Sequence, residues 1–152
     1  MVNKHNKIFS FGFLFLFSLI FFSCGNKNQA PKVEPMFTAA DTTEVVGMTN
    51  AFMNLIQNKD YDKALSGLFN LENNALELIT DEEKKALKQQ FTFFPVISYQ
   101  LESMTWKNVY DVTLVYSFKF MEEDDASGAP NTMTVTFVPQ RRNKIWYLAI
   151  SK

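Results

Sequence analysis

The chain has 152 residues, with 15 basic and 16 acidic side chains, one histidine and one cysteine. This length suits one domain, and the near balance of charge gives no basic surface of the kind that nucleic-acid binding requires. A single cysteine cannot form a disulfide within the chain, so the fold must be held by packing.

The first 23 residues have the composition of an export signal. Lys4 and Lys7 form a basic start, and residues 8–22 are apolar apart from two serines and one glycine. A 15-residue helix is about 22 Å long, shorter than a hydrocarbon core of about 30 Å. We therefore predict a signal peptide over residues 1–23 rather than a permanent transmembrane anchor.

The only cysteine follows this apolar run directly. Ser23 is small, as signal-peptidase cleavage requires, and Cys24 comes next. The arrangement resembles the lipobox of bacterial lipoproteins, with Phe21 where the usual pattern has Leu. The resemblance implies that Cys24 is lipidated and becomes the new N-terminus. The alternatives are a plain secretory signal beside an unmodified cysteine, or an uncleaved anchor.

Cleavage changes the charge and suggests a location. The 15 basic side chains fall to 13 once Lys4 and Lys7 leave, against 16 acidic ones, and the only histidine leaves as well. Gly25 is not the Asp associated with inner-membrane retention, and residues 26–28 lack an acidic surface-export cluster. Both comparisons imply a lipid anchor in the outer membrane, facing the periplasm.

Residues 24–40 are predicted to be a lipidated flexible tether, because they contain Pro31 and Pro35 and no sustained periodicity. Residues 41–152 are predicted to form a single domain. Asp41 or Thr42 can cap its first helix, with Glu44 completing a capping box.

Two further helices are predicted after the first. Asp60 can cap a second helix, which begins at Tyr61 and buries a stripe of apolar side chains: Ala64, Leu65, Leu68 and Phe69. Thr80 and Glu83 have the spacing of a capping box, which opens a third helix that extends to about Phe91.

The pattern then alternates, which indicates strands. A change of parity between Leu101 and Met104 predicts a β-bulge, and Lys107-Asn108 a turn. The predicted strands continue with Tyr110–Phe120, residues 132–137 and Ile145–Ile150.

This order predicts an α+β fold with two to three N-terminal helices packed on a curved, four-stranded antiparallel sheet. A first helix followed by Asn58–Leu65 (NKDYDKAL), and a sheet closing on Lys144–Leu148 (KIWYL), resembles the nuclear transport factor 2-like (cystatin-like) superfamily. The resemblance covers about residues 41–152. It implies a cone-like domain, a pocket or a filled core between sheet and helix, and homodimerisation through the sheet.

The apolar face of the long strand is the predicted ligand pocket. With one tyrosine from the preceding strand, its members are Tyr99, Tyr110, Val112, Leu114, Tyr116 and Phe118. Enzymes of the superfamily use pocket acids, histidines or tyrosines, but this face offers no acid or histidine. The catalytic candidates are Glu102, which the bulge could turn inward, Asp111, Tyr99 and Tyr116. The favoured interpretation of Glu102 is an exposed strand glutamate, and that of the tyrosines is a core position with a satisfied hydroxyl.

No metal or cofactor is expected. Glu123, Asp125, Ser127 and Gly128 partly match a calcium loop, but Thr134 stands where that loop needs a bidentate glutamate. We therefore interpret the segment as a solvated loop. Arg141, Arg142 and Lys144 are interpreted as a charged turn, with contact to anionic headgroups as the alternative.

The leading hypothesis is an envelope lipoprotein whose domain is not an enzyme and binds an apolar small ligand or an envelope protein. An isomerase- or dehydratase-like enzyme that uses a pocket carboxylate and a tyrosine is the main alternative. A structural subunit of an envelope complex is the third.

Overall fold

The computed structural model describes residues 37–122 and 130–151. Its three helices are α1 (Ala39–Gln57), α2 (Tyr61–Leu65) and α3 (Asp81–Phe93). Its eight strands are β1 (Phe69–Glu72), β2 (Ala75–Leu78), β3 (Ser98–Asn108), β4 (Asp111–Lys119), β5 (Thr132–Phe137), β6 (Gln140–Arg142), β7 (Ile145–Tyr147) and β8 (Ala149–Ser151).

Helix α1 begins at Ala39, three residues before the start predicted from a cap at Asp41. Thr38 is its N-cap, and the Thr38 hydroxyl accepts a hydrogen bond from the Asp41 backbone N–H. The Asp41 carboxylate accepts from the Thr38 backbone N–H in return, which completes a capping box. Asp41 therefore has the role that we assigned to Glu44, because the same spacing of residue types recurs three positions earlier.

The second predicted helix is shorter than expected. Helix α2 begins at Tyr61 but ends at Leu65, and Phe69 lies in β1 rather than on a helical stripe. Asp60 is the N-cap by position, without a side-chain capping bond. The β1–β2 hairpin, which the sequence analysis missed, turns at Asn73 and Asn74, both with positive φ, a conformation that asparagine tolerates. Helix α3 has the predicted Thr80–Glu83 capping box.

The strands form one strongly curled sheet with the order β2-β1-β8-β5-β4-β6-β7, and β3 pairs with β4 off this path. Strands β1 and β8 are parallel, and the other paired strands are antiparallel. The predicted α+β class, with helices ahead of a curved sheet, is confirmed. The predicted number of four strands is wrong, since short strands flank the long ones and the final strand is divided at Leu148. The prediction of a purely antiparallel sheet is also wrong, because β1 and β8 pair in parallel and make the sheet mixed.

The predicted bulge is present in β3. Leu101 pairs with Tyr116 and Ser103 pairs with Val115, so Glu102 is the extra residue. The predicted turn at Lys107-Asn108 is displaced, because β3 continues to Asn108, which pairs with Asp111.

With the bulge, most apolar side chains of β3 and β4 stay on one face of the pair and most polar side chains on the other. The inner face carries Tyr116, Leu114, Val112 and Phe118, all buried in a core with Val45, Phe52, Met53 and Ile56 of α1. The outer face is mostly polar, with Gln100, Ser117, Thr105 and Thr113 from β3 and β4 and Thr134 from β5. Helix α1 therefore covers the inner face and fills the space beneath it.

Candidate functional site

Four polar side chains meet where α1 crosses β3 and β4. The Tyr116 hydroxyl donates to Oδ1 of Asn50 at 2.9 Å, and the Tyr99 hydroxyl donates to Oδ1 of Asn54 at 2.7 Å. The two tyrosine rings lie 6.1 Å apart between centroids. We call Asn50, Asn54, Tyr99 and Tyr116 the tyrosine–asparagine cluster.

The local structure explains why these residues meet. Asn50 and Asn54 are four positions apart on α1, so their side chains lie on the same side of the helix, one turn apart. Tyr116 lies on the inner face of β4, and Tyr99, on the neighbouring strand, is one ladder step further along, opposite Phe118. Exposure increases across the cluster: Tyr116 is fully buried, Tyr99 is half-buried and Asn54 is exposed.

Burial keeps both phenols in their neutral form. It raises the pKa of Tyr116 to about 12, with a smaller contribution from the neighbouring Tyr99. Burial also raises the pKa of Tyr99 above its ordinary value of 10.0. At neutral pH both hydroxyls are therefore protonated and donate hydrogen bonds to the asparagine oxygens.

Glu102 does not join this cluster. Its Oε1 accepts hydrogen bonds from Ser117 Oγ at 2.5 Å and from Gln100 Nε2 at 2.6 Å, both on the outer face. The bulge therefore does not turn Glu102 inward, and Glu102 is an exposed strand glutamate. The bonds from Ser117 and then Gln100 hold the pKa of Glu102 below its ordinary value of 4.5, the opposite of what a pocket base needs.

Asp111 is also held away from the tyrosines. Its Oδ1 accepts from Gln140 Nε2 at 2.9 Å, and its Oδ2 lies 3.9 Å from Lys107 Nζ. Both partners lie near the start of β4, where β3 turns into β4, beyond the inner-face residue Val112. The structure therefore brings Tyr99 and Tyr116 together and places both carboxylates elsewhere.

The predicted pocket residues fall into three environments. Val112, Leu114, Tyr116 and Phe118 are packed in the core. Tyr99 lies at the edge of that core, in the tyrosine–asparagine cluster. Tyr110 is 58% exposed in the β3–β4 turn, where its backbone N–H donates to Oδ1 of Asn108. Of the two alternatives that the resemblance implied, a pocket or a filled core, the inner face of β4 forms a filled core.

A separate groove of about 240 Å³ lies between the β1–β2 hairpin and the start of α3. Its lining includes Asn70, Glu72, Glu77 and Glu83, and Asn70 Nδ2 donates to Oε1 of Glu83 at 2.8 Å. Within residues 37–122 and 130–151, no group of three or more acidic, histidine or cysteine side chains is arranged to hold a metal ion. The partial calcium loop at residues 123–128 lies outside the described residues.

The predicted lipidation site, Cys24, also lies outside the described residues, as do the signal peptide and most of the tether. In the part of the chain that the structure describes, no helix is both long and apolar enough to cross a membrane.

The tyrosine–asparagine cluster was only half visible in the sequence. Both tyrosines were named, but their amide partners were not, because Asn50 and Tyr116 are 66 positions apart. The available signal was the pair of asparagines one turn apart beside the apolar stripe of α1.

No protein-family model matches the chain, and no curated protein matches it. Solved structures do resemble it. An NTF-2 like protein of unknown function from Shewanella oneidensis MR-1 is 14% identical, with a TM-score of 0.44 over 73% of this chain and 98% of its own. A protein of unknown function with a cystatin-like fold from Nostoc punctiforme is 16% identical, with a TM-score of 0.47 over 77% of this chain and 94% of its own.

A third similar structure is described as a candidate polyketide cyclase from Xanthomonas campestris. It is 15% identical, with a TM-score of 0.37 over 72% of this chain and 90% of its own. At these identities the likeness concerns the fold alone, and the function is argued from the side chains.

Proposed function

We propose that this protein is a bacterial envelope lipoprotein, anchored through Cys24, whose domain is not an enzyme and binds a small apolar ligand or an envelope protein. The observation that supports this most is the separation of the carboxylates from the tyrosines. Glu102 and Asp111 accept hydrogen bonds from side-chain amides and a hydroxyl, whereas Tyr99 and Tyr116 donate to asparagines. General acid–base catalysis needs these groups within reach of one substrate.

The exposed edge of the tyrosine–asparagine cluster supports a binding role. Leu101 is 39% exposed on the edge strand β3, close to half-buried Tyr99 and exposed Asn54. Oδ1 of Asn54 is already an acceptor for Tyr99, which leaves the amide NH2 group as a donor at the surface. An apolar ligand with a neutral acceptor, such as an ester or amide carbonyl, suits this combination.

Native mass spectrometry of the protein extracted from the envelope in mild detergent tests the small-ligand form. We expect a bound species of defined mass on the wild type, absent from Leu101→Glu. Leu78→Glu is the matched control, since Leu78 is an exposed leucine on the distant β2. A species retained by Leu101→Glu and lost from Leu78→Glu would place the ligand elsewhere.

Lipid anchoring has its own test. Cells grown with an alkyne-tagged palmitate should label the wild-type protein and leave Cys24→Ala unlabelled. Label on Cys24→Ala, or none on the wild type, would contradict the anchor. We also propose that the protein lies on the periplasmic face of the outer membrane. Rapid digestion of the domain by protease added to intact cells would contradict that location.

Homodimerisation through the sheet is part of the proposal. Thr134 is exposed on the outer face, opposite buried Ser117 and between exposed Thr132 and Thr136 of the same strand. If two copies pair there, Thr134→Arg should convert a dimer to a monomer in light scattering. Thr92→Arg, on the exposed side of α3, should leave the dimer intact. A wild-type monomer at high concentration would contradict this part of the proposal.

A further inference from the structure

Two turns meet at one end of the domain, beside the point where the described chain begins. The β3–β4 turn carries Tyr110, whose backbone carbonyl accepts from the Arg141 N–H at 2.8 Å, and Arg141 leads into the β6–β7 turn. The ring of Phe37, the first described residue, stacks on Trp106 at 4.6 Å, near the end of β3. We call this region the turn end.

Aromatic packing holds the turn end together. Trp106 and Trp146 meet edge to face, with their centroids 5.7 Å apart, and the Arg141 guanidinium lies 5.7 Å from the Trp146 ring centroid. Trp146 directly follows Ile145, the first residue of β7 after the second turn. Both turns therefore adjoin one packed set of aromatic rings.

The tips combine exposed apolar side chains with cations. Tyr110 is 58% exposed and Ile145 is 55% exposed, and the two lie beside adjacent turns at this one end. The cations of this end are Lys107, Arg141, Arg142 and Lys144, and its carboxylates are Asp41 and Asp111. Asp41 pairs with Arg141, and Asp111 lies at the edge of contact with Lys107. Arg142 and Lys144 form no ion pair with any described acidic side chain.

We propose that the turn end lies against an anionic bilayer, with Tyr110 and Ile145 in the headgroup region and Arg142 and Lys144 on lipid phosphates. This inference rests on the proposed anchor at Cys24. Thirteen residues separate Cys24 from Phe37, so the anchor lies within about 45 Å of Phe37 even if that segment is fully extended. The chain thus enters the domain at the end that carries exposed Lys144, the exposed side chains Tyr110 and Ile145, and half-buried Arg142, whose Nη1 also donates to the Arg141 carbonyl at 3.1 Å.

The opposite end of the domain is the competing surface. Phe93 is 79% exposed at the end of α3, and Phe94 packs edge to face on Phe120, just beyond the far end of β4. The described charges beside Phe120 are exposed Lys119 and exposed Glu122, which cancel, whereas the turn end has four cations against two carboxylates. Charge therefore favours the turn end over the Phe93 end.

The chain offers a direct test, because its only native cysteine is the proposed lipid attachment point. In the lipidated protein, Ile145→Cys supplies the single free thiol for the fluorophore NBD, and Phe93→Cys supplies the matched control. Each labelled protein is reconstituted into phosphatidylethanolamine vesicles containing phosphatidylglycerol and doxyl-labelled lipid. We expect quenching of NBD at position 145 and little at position 93.

Charge gives the second arm of the test. Arg142→Gln with Lys144→Gln should abolish quenching at position 145, whereas Lys63→Gln with Lys85→Gln, exposed cations elsewhere, should preserve it. For protein whose Cys24 is unlipidated, the first pair should weaken partitioning into these vesicles about thirty-fold, since each cation near the surface contributes to binding. Salt at high concentration should act in the same direction.

The outcomes separate the two proposals. Protein that does not float with vesicles and lacks lipid label contradicts the anchor. Protein that floats but shows no quenching at position 145, or equal quenching at position 93, overturns the orientation while leaving the anchor in place. Quenching that persists in Arg142→Gln with Lys144→Gln overturns the role of the two cations.

Discussion

Asp41 and Arg141 are one hundred positions apart, yet Nη1 of Arg141 donates to Oδ1 of Asp41 at 2.9 Å. The same carboxylate oxygen lies 3.4 Å from Nε1 of Trp146, and its other oxygen accepts from Thr38. One carboxylate thus completes the capping box of α1 and joins that helix to β6 and β7.

Replacing Asp41 by asparagine should destabilise the domain. Asp41 is only 7% exposed, and the change removes a capping charge and leaves Arg141 unpaired in a half-buried position. We expect a loss of about 2 to 4 kcal/mol in the free energy of unfolding, measured in urea. Asp62→Asn is the control, because its ion pair with Lys88 is exposed and should contribute less than about 1 kcal/mol. Equal losses for both would contradict this ranking.

The contribution of Asp41 should depend on pH. Burial raises the pKa of Asp41, but the bonds from Thr38 and Trp146, together with Arg141, outweigh burial and hold it below 3.8. A pKa lower in the folded state gives stability that is present above the unfolded pKa and is lost as pH falls through the folded value. The stability difference between wild type and Asp41→Asn should therefore shrink below about pH 4. A constant difference down to pH 2 would contradict this.

The hydroxyl of Tyr116 should titrate at a higher pH than an ordinary tyrosine. Its pKa, about 12 when folded, lies above the ordinary value of 10.0, so the stability it adds is complete below pH 10 and is lost as pH rises towards 12. Ultraviolet titration should show a late tyrosine step that disappears in Tyr116→Phe. The same variant should lose about 1 to 2 kcal/mol at pH 7, because Oδ1 of Asn50 loses its donor. An unchanged late step would assign it to another tyrosine.

Gly47 should be a stabilising position for alanine. It lies within α1, is exposed, and a Cβ there would meet nothing within 4 Å. Alanine loses less conformational freedom than glycine when a helix forms, so Gly47→Ala should add about 0.5 to 1 kcal/mol to the free energy of unfolding. Gly67→Ala has equal space but lies outside a helix, and we expect a smaller gain. A destabilised Gly47→Ala would indicate a contact at this surface that the isolated chain does not make.

The features that the sequence predicted best are those with a local physical cause. The Thr80–Glu83 capping box and the bulge at Glu102 each involve residues a few positions apart, and one change of parity was enough to locate the bulge. The β1–β2 hairpin was missed because its strands have only four residues each. Leu68 and Phe69 also fit a helical stripe, and the Asn73-Asn74 turn was the signal that could have corrected the interpretation.

The candidate site was harder to predict, because it depends on which face each side chain takes in the folded sheet. The bulge was located correctly, but its consequence for Glu102 depended on Ser117 and Gln100 offering donors on the outer face. Similarly, Tyr110 fits the alternation of β4, but the strand begins one residue later, because Asn108 pairs with Asp111. Such outcomes are set by tertiary partners rather than by the period of the pattern.

The parallel pairing of β1 with β8 constrains how an exported chain could assemble. Phe69 pairs with Ala149 and Leu71 with Ser151, and β8 is also the strand that lies between β1 and β5. Until residues 149–151 arrive, the β1–β2 hairpin has no place in the sheet. A chain that emerges from its N-terminus would therefore stay short of its native state until residues 149–151 had emerged.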